Sequence, residues 1–229
     1  MPNIAIVAAL EREVRPLVKK WQVQDREHDG RRSRFFQNGE TVLICGGIGA
    51  TAARRATEAI IALFHPKLVY SVGFAGALDP VLKVADILRP SQVINAGDAS
   101  STSVEGGNGL LVSFGSVASP EQKAKLRDSF GAQAVDMEAA SVARAAEARG
   151  VAFGVVKAIS DEIDFELPAM QRFVDCEGGF SGSSFGIYAA VRPWLWPRVI
   201  RLARNSSRAS NALCAYLNEL VSASPVVAS

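Results

Sequence analysis

The stretch VDMEAASVARAAEARGVAFGVVKAISDEID, residues 135–164, constrains this chain more than any other. It reads as strand end, helix, glycine stop, strand and acidic turn. Val135-Asp136-Met137-Glu138 closes a short apolar strand. Ala139 to Arg149 is alanine-rich, with charges at Arg144, Glu147 and Arg149, and Gly150 follows as a helix stop. Val151 to Ile159 is an apolar run broken only by Gly154 and Lys157, as expected of a strand buried on both faces. It ends at Ser160-Asp161. Glu138 and Asp161 thus stand at strand ends 23 residues apart, joined by one helical crossover. A right-handed crossover brings both to one edge of a parallel sheet, the edge where α/β proteins bind ligands. Acidic residues also gather at helix starts because of the helix dipole alone, so the spacing by itself leaves a structural role open.

The flanking segments extend the same pattern. Ile4 to Leu10 is a short apolar strand, and Glu11 to Trp21 follows as a helix with Pro16 tolerated only in its first turns. Arg31–Phe36 and Thr41–Cys45 form a hairpin pair about Asn38-Gly39. A helix is expected over Ala50–Phe64 and a third strand over Lys67–Val72, opening into Gly73-Phe74-Ala75-Gly76. Glycine at 73 and 76 lets backbone approach a ligand closely. Gly47-x-Gly49-x-x-Ala52 formally fits a dinucleotide fingerprint, but Leu68–Gly73 ends without the acidic residue that reading needs. Tight strand-to-helix packing is the better use of these glycines. Residues 97–109 are small and polar and read as a surface loop. Ser119-Pro120-Glu121-Gln122 is a helix start with cap, proline and capping-box glutamine in place.

Composition excludes several classes. At 229 residues the chain buries a good core as one domain. A net charge of +2 does not suggest a nucleic-acid surface. Cys45, Cys176 and Cys214 have no metal spacing and favour a reducing, cytoplasmic setting; neither a metal site nor a cofactor is expected. Ile4–Leu10 is too short to cross a bilayer and runs at once into charge, so it reads as a core strand and not a signal peptide. Residues 180–202 concentrate two of the three tryptophans, with Arg192, Arg198, Arg201, Arg204 and Arg208 interleaved or following. One reading is helices covering the sheet or a dimer face. The other is peripheral contact of residues 185–204 with the inner membrane face, aromatics in the headgroup zone and arginines on phosphates.

Four segments in order carry a resemblance. DMEAA and AISDEID resemble the VEMEAA and AISD motifs of the purine nucleoside phosphorylase and methylthioadenosine/S-adenosylhomocysteine nucleosidase superfamily. Residues 8–14 (AALEREV) and 73–78 (GFAGAL) agree in order and spacing, so the resemblance spans roughly residues 3–165. It implies one α/β domain with a mixed, mostly parallel central sheet flanked by helices, a divergent helical segment from about residue 166, and a homodimer. It implies N-glycosidic cleavage of a purine nucleoside of adenine type. Asp161 would be the general acid at N7, oriented by Ser160, and Glu13 would activate water. Glu138 would accept the ribose hydroxyls, with Met137 packed on the sugar. Phe74 stands where most members carry Ser or Cys, Ala75 follows it, and Val117 lies where a base-stacking aromatic is usual. Two alternatives stay open: phosphorolysis, with phosphate as co-substrate held by Arg12, Arg15 or Lys157, and an inactive nucleoside-binding or membrane-associated module. The C-terminal segment resembles that of the hopanoid-associated members, which implies a nucleoside with a bulky apolar 5′ substituent.

Overall fold

The computed structural model describes residues 2–166, 170–173, 175 and 178–223. The frame is a mixed sheet whose centre is almost wholly apolar. Strand β1 (Ile4–Ala8) is buried at all five positions and runs parallel to β4 (Thr41–Cys45) and β5 (Leu68–Ala77). Its side chains alternate between two cores, as strand periodicity demands. Ile4, Ile6 and Ala8 join the cluster under helices α1 (Glu11–Val18) and α6 (Trp196–Ala223), with Ala209, Leu213 and Leu217. Ala5 and Val7 join the opposite cluster, with Ile60 and Phe64 of α2 (Ala50–Phe64) and Val142 and Ala146 of α4 (Ala139–Glu147). A sheet covered on both faces explains why its strands read as continuous apolar runs.

Strand β5 is the axis of the site. It is longer than the expected Lys67–Val72 and continues through the glycine motif to Ala77. Along one edge it takes β11 (Ala152–Asp161) in parallel, from Leu68 to Gly76. Its other edge belongs to β1 only as far as Ser71. Beyond that, β10 (Ala134–Asp136) pairs antiparallel with Gly76 and Ala77. The expected simple parallel crossover through α4 is therefore not what forms. The strands carrying the two acidic motifs flank β5 from opposite edges, and Gly76 faces Val135 on one side and Asp161 on the other.

Other expectations need adjustment. Helix α1 stops at Val18, and Pro16 lies well inside it. Proline has no N–H for the carbonyl four residues back, and the Arg12 carbonyl instead accepts the Ser210 hydroxyl of α6 at 3.3 Å. A strand β2 (Gln22–His28) pairs antiparallel with β3 (Arg31–Asn38), which itself pairs with β4. Residues 97–109 contain a short strand β8 (Ser101–Ser103), paired antiparallel with β7 (Gln92–Asn95), and β6 (Ile87–Leu88) and β9 (Leu110–Ser113) belong to the same sheet. The helix start at Ser119 is as expected: its hydroxyl accepts from Gln122 N, and the Gln122 side chain accepts from Ser119 N, opening α3 (Pro120–Phe130). In the C-terminal segment α5 (Gly182–Ala190) leads through Pro193–Leu195 into α6.

Candidate active site

Asp161 arrives at the end of β11, where the register with β5 shifts between Ile159 and Asp161. Its carboxylate accepts the Ser160 hydroxyl at 2.7 Å and forms a buried ion pair with Lys123 of α3. Lys123 Nζ also donates to the Glu162 carbonyl at 2.7 Å. The pair closes over Gly76, where an added Cβ would lie 2.9 Å from Asp161 Oδ2 and 3.3 Å from Lys123 Nζ. Glycine at 76 is thus required by the carboxylate and the ammonium that meet there.

Glu138 precedes α4 and reaches across to the start of α2, where it accepts the Gly49 amide at 2.8 Å. That amide sits at a helix N-terminus, the position that favours an anion. The dinucleotide-like glycines therefore serve a side chain of the chain itself, and Gly46 packs against α2 with no room for a Cβ beside Ala56. Asp136 is held from three sides: it accepts the Ser113 hydroxyl at 2.5 Å and the Ala139 amide at 2.8 Å, and pairs with Lys157 at 2.8 Å. Lys157 also donates to Ser71 at 3.2 Å.

Glu13 lies on α1 and is buried, and its Oε2 has no hydrogen-bond partner among the described residues. The oxygen sits over Gly73, whose φ is +143°, at 2.7 Å from where a Cβ would be. Burial first, and then the nearby Glu138 charge, push the Glu13 carboxyl up to about 8. Burial and the Asp136 charge push Glu138 up to about 7. Burial alone would lower Lys157, but Asp136 and Glu138 hold it above its ordinary value. Two carboxyls titrating near neutrality beside a buried cation are what proton-transfer sites require.

One cavity brings together all eight residues singled out by sequence: Glu13, Phe74, Ala75, Val117, Met137, Glu138, Ser160 and Asp161. Leu10, Ile48, Ala118 and Val135 add apolar wall, and α6 contributes Leu202 and Ser206. A roomier cleft of about 770 Å³ elsewhere, beside Tyr70 and Arg89, contains none of these eight. The phosphate candidates do not gather as a cation cluster. Lys157 is committed to Asp136, Arg12 lines the cavity but lies over the Phe180 ring at 4.9 Å, and Arg15 is exposed. Sequence reading missed Lys123 and the α6 residues. Lys123 is three residues before the buried Leu126 on α3, and a lysine sharing that inward stripe was the available signal.

A family model described as the phosphorylase superfamily matches residues 3–120 and 108–177. A 5′-methylthioadenosine/S-adenosylhomocysteine nucleosidase of Staphylococcus aureus (strain bovine RF122 / ET3-1) is 30% identical over 207 residues, covering 71% of this chain and 90% of that protein. Among solved structures, futalosine hydrolase of Helicobacter pylori superposes with a TM-score of 0.72 at 20% identity, covering 96% of this chain and 97% of the other. The Helicobacter pylori 5′-methylthioadenosine/S-adenosylhomocysteine nucleosidase with butyl-thio-DADMe-Immucillin-A gives 0.71 at 20% identity, covering 97% and 98%. These two structural likenesses concern the fold.

Proposed function

The chain belongs to the phosphorylase superfamily, and from that premise we propose that it hydrolyses the N-glycosidic bond of a purine nucleoside of adenine type. One observation carries the choice of water: Glu13 is a buried carboxyl with an unpartnered oxygen at the cavity. Held up to about 8, it is a much stronger base than an ordinary carboxylate and suits proton removal from water. A phosphate dianion in the same place would meet two carboxyls, Glu13 and Glu138, while of the cations nearby Lys157 pairs with Asp136, Lys123 with Asp161, and Arg12 lies over the Phe180 ring.

The chemistry follows from the placement. Breaking the C1′–N9 bond sends its electron pair to the base and leaves an oxocarbenium-like sugar. A proton delivered to N7 from the Ser160–Asp161 corner makes the base a better leaving group. Glu138 accepts the ribose hydroxyls and opposes the developing positive charge. Water adds to C1′ as Glu13 takes its proton. No cofactor enters this scheme. Release of free base from adenosine, methylthioadenosine and inosine, with and without phosphate, tests it. Turnover is expected without phosphate, and Asp161→Asn should lower it by roughly 10²- to 10⁴-fold. Strict phosphate dependence would establish phosphorolysis instead, and no release from any substrate would leave a binding module.

The finer reading is a substrate with an apolar 5′ substituent. It is supported by the apolar cavity wall, Leu10, Ile48, Phe74, Val117 and Leu202, which offers little to a polar group. Each buried methylene contributes up to about 0.8 kcal/mol, roughly fourfold in affinity. kcat/KM is expected to rise as a 5′-alkylthio group on adenosine is lengthened. A flat or falling series would rule this reading out.

A further inference from the structure

Lys123 is a fully buried charged group that lines the cavity and that the hydrolytic scheme leaves unused. It is 1% exposed and spends its donors on Asp161 and the Glu162 carbonyl. Burying an ammonium is costly unless it is paired, and this one is paired with the residue assigned to protonate the base. Both Asp161 oxygens already have a polar neighbour, Ser160 Oγ at 2.7 Å from Oδ1 and the Lys123 ammonium on Oδ2. The nearest transferable proton is the lysine's.

We propose that Lys123 is the proton source for the leaving base, acting through Asp161. The inference rests on the nucleosidase reading above. As C1′–N9 breaks, Asp161 passes a proton to N7 and takes one from the Lys123 ammonium, which becomes a neutral amine. The electron pair of the broken bond stays on the base, which leaves neutral and carries the proton on N7. Glu13 takes one proton from the attacking water, so one proton is gained and one lost within the site. Exchange with solvent after product release returns the first to Lys123 and removes the second from Glu13. The α3 capping box and Gly76 fix the geometry: one orients the helix that carries Lys123, and the other leaves space for the ammonium beside the carboxylate.

The test separates leaving groups. Adenine must be protonated to leave well, whereas p-nitrophenolate leaves without a proton. Lys123→Met should lose roughly 10²- to 10³-fold in kcat on methylthioadenosine, yet stay within a few-fold of wild type on p-nitrophenyl β-ribofuranoside. Lys123→Met leaves Asp161 buried and unpaired, so the double variant Lys123→Met/Asp161→Asn, which removes both charges, guards against misfolding. It should be no slower on methylthioadenosine than either single variant, because both act in one proton transfer. Equal losses on the two substrates, or full activity of Lys123→Met on methylthioadenosine, would overturn the role of Lys123 alone. Wild-type protein that cleaves neither compound would overturn the nucleosidase reading, and this inference with it.

Discussion

Glu13 trades stability for basicity, and the trade has a definite sign. Its carboxyl is raised from 4.5 to about 8 on folding. Between those values the unfolded chain sheds the proton while the folded chain keeps it, so stability falls as pH rises through the window and levels off above it. Glu13→Gln should melt like wild type near pH 4.5 and higher than wild type at pH 8.5, while turnover falls by 10²-fold or more, on the order expected for loss of a general base. An unchanged pH slope of melting in the variant would place the buried charge elsewhere. In the wild type, kcat/KM should climb between about pH 7 and 8 as the Glu13–Glu138 pair ionises, the two steps belonging to the pair. Gly73→Ala attacks the same carboxylate from below, with a Cβ 2.7 Å from Oε2 on a backbone at φ +143°. It should cost about 1–3 kcal/mol of stability and more than tenfold in kcat/KM, read by melting and initial rates. At this scale the acids were singled out by the motif resemblance, since strand-end and helix-start positions alone left their roles open. Lys123 was not, because PEQKAKLR looks like any charged surface helix until burial is known.

Among the elements, α6 follows the first of the two readings of the C-terminal segment, a helix covering the sheet. Its inward stripe, Leu202, Asn205, Ala209, Leu213 and Leu217, steps by three and four residues and seals the core over α1 and β11. Ser210 donates to the Glu13 carbonyl at 3.0 Å. Leu213→Ala should destabilise by about 2–5 kcal/mol and, by loosening the support of α1, lower turnover under conditions where the fold persists; denaturant melts beside kinetics would show both. The central strands β1, β4, β5 and β11 were readable as apolar runs. Strand β2 was not: Gln22–His28 is polar, almost wholly unburied and paired on one side only, so neither alternation nor burial marks it. The continuation of β5 through Gly73–Ala77 was equally hidden, since glycine weakens a strand signal and only pairing with β10 and β11 keeps it extended.

For the molecule as a whole, the outer surface beside the cavity is unusual. Ile187, Val191, Trp194, Trp196 and Ile200 are exposed, Trp194 by 71%. Trp196 is six residues, about 9 Å of helix, from Leu202 in the cavity wall. No helix among the described residues is long and apolar enough to cross a membrane. The arginine pattern is less available than the sequence implies, because Arg198 pairs with Glu166 and Arg201 with Glu162; Arg204 and Arg208 are exposed. The peripheral-membrane reading of residues 185–204 predicts co-sedimentation with anionic liposomes, weakened in Trp194→Ala/Trp196→Ala, and equal pelleting with and without vesicles would reject it. The support of α1 by α6 has a consequence in time. Ser210 meets Glu13 across 197 residues of sequence. At roughly 5–20 residues per second, a ribosome needs on the order of ten to forty seconds to supply the second after the first. Until then the nascent chain holds its future base on an unsupported helix, so an unfinished molecule should be unable to hydrolyse anything.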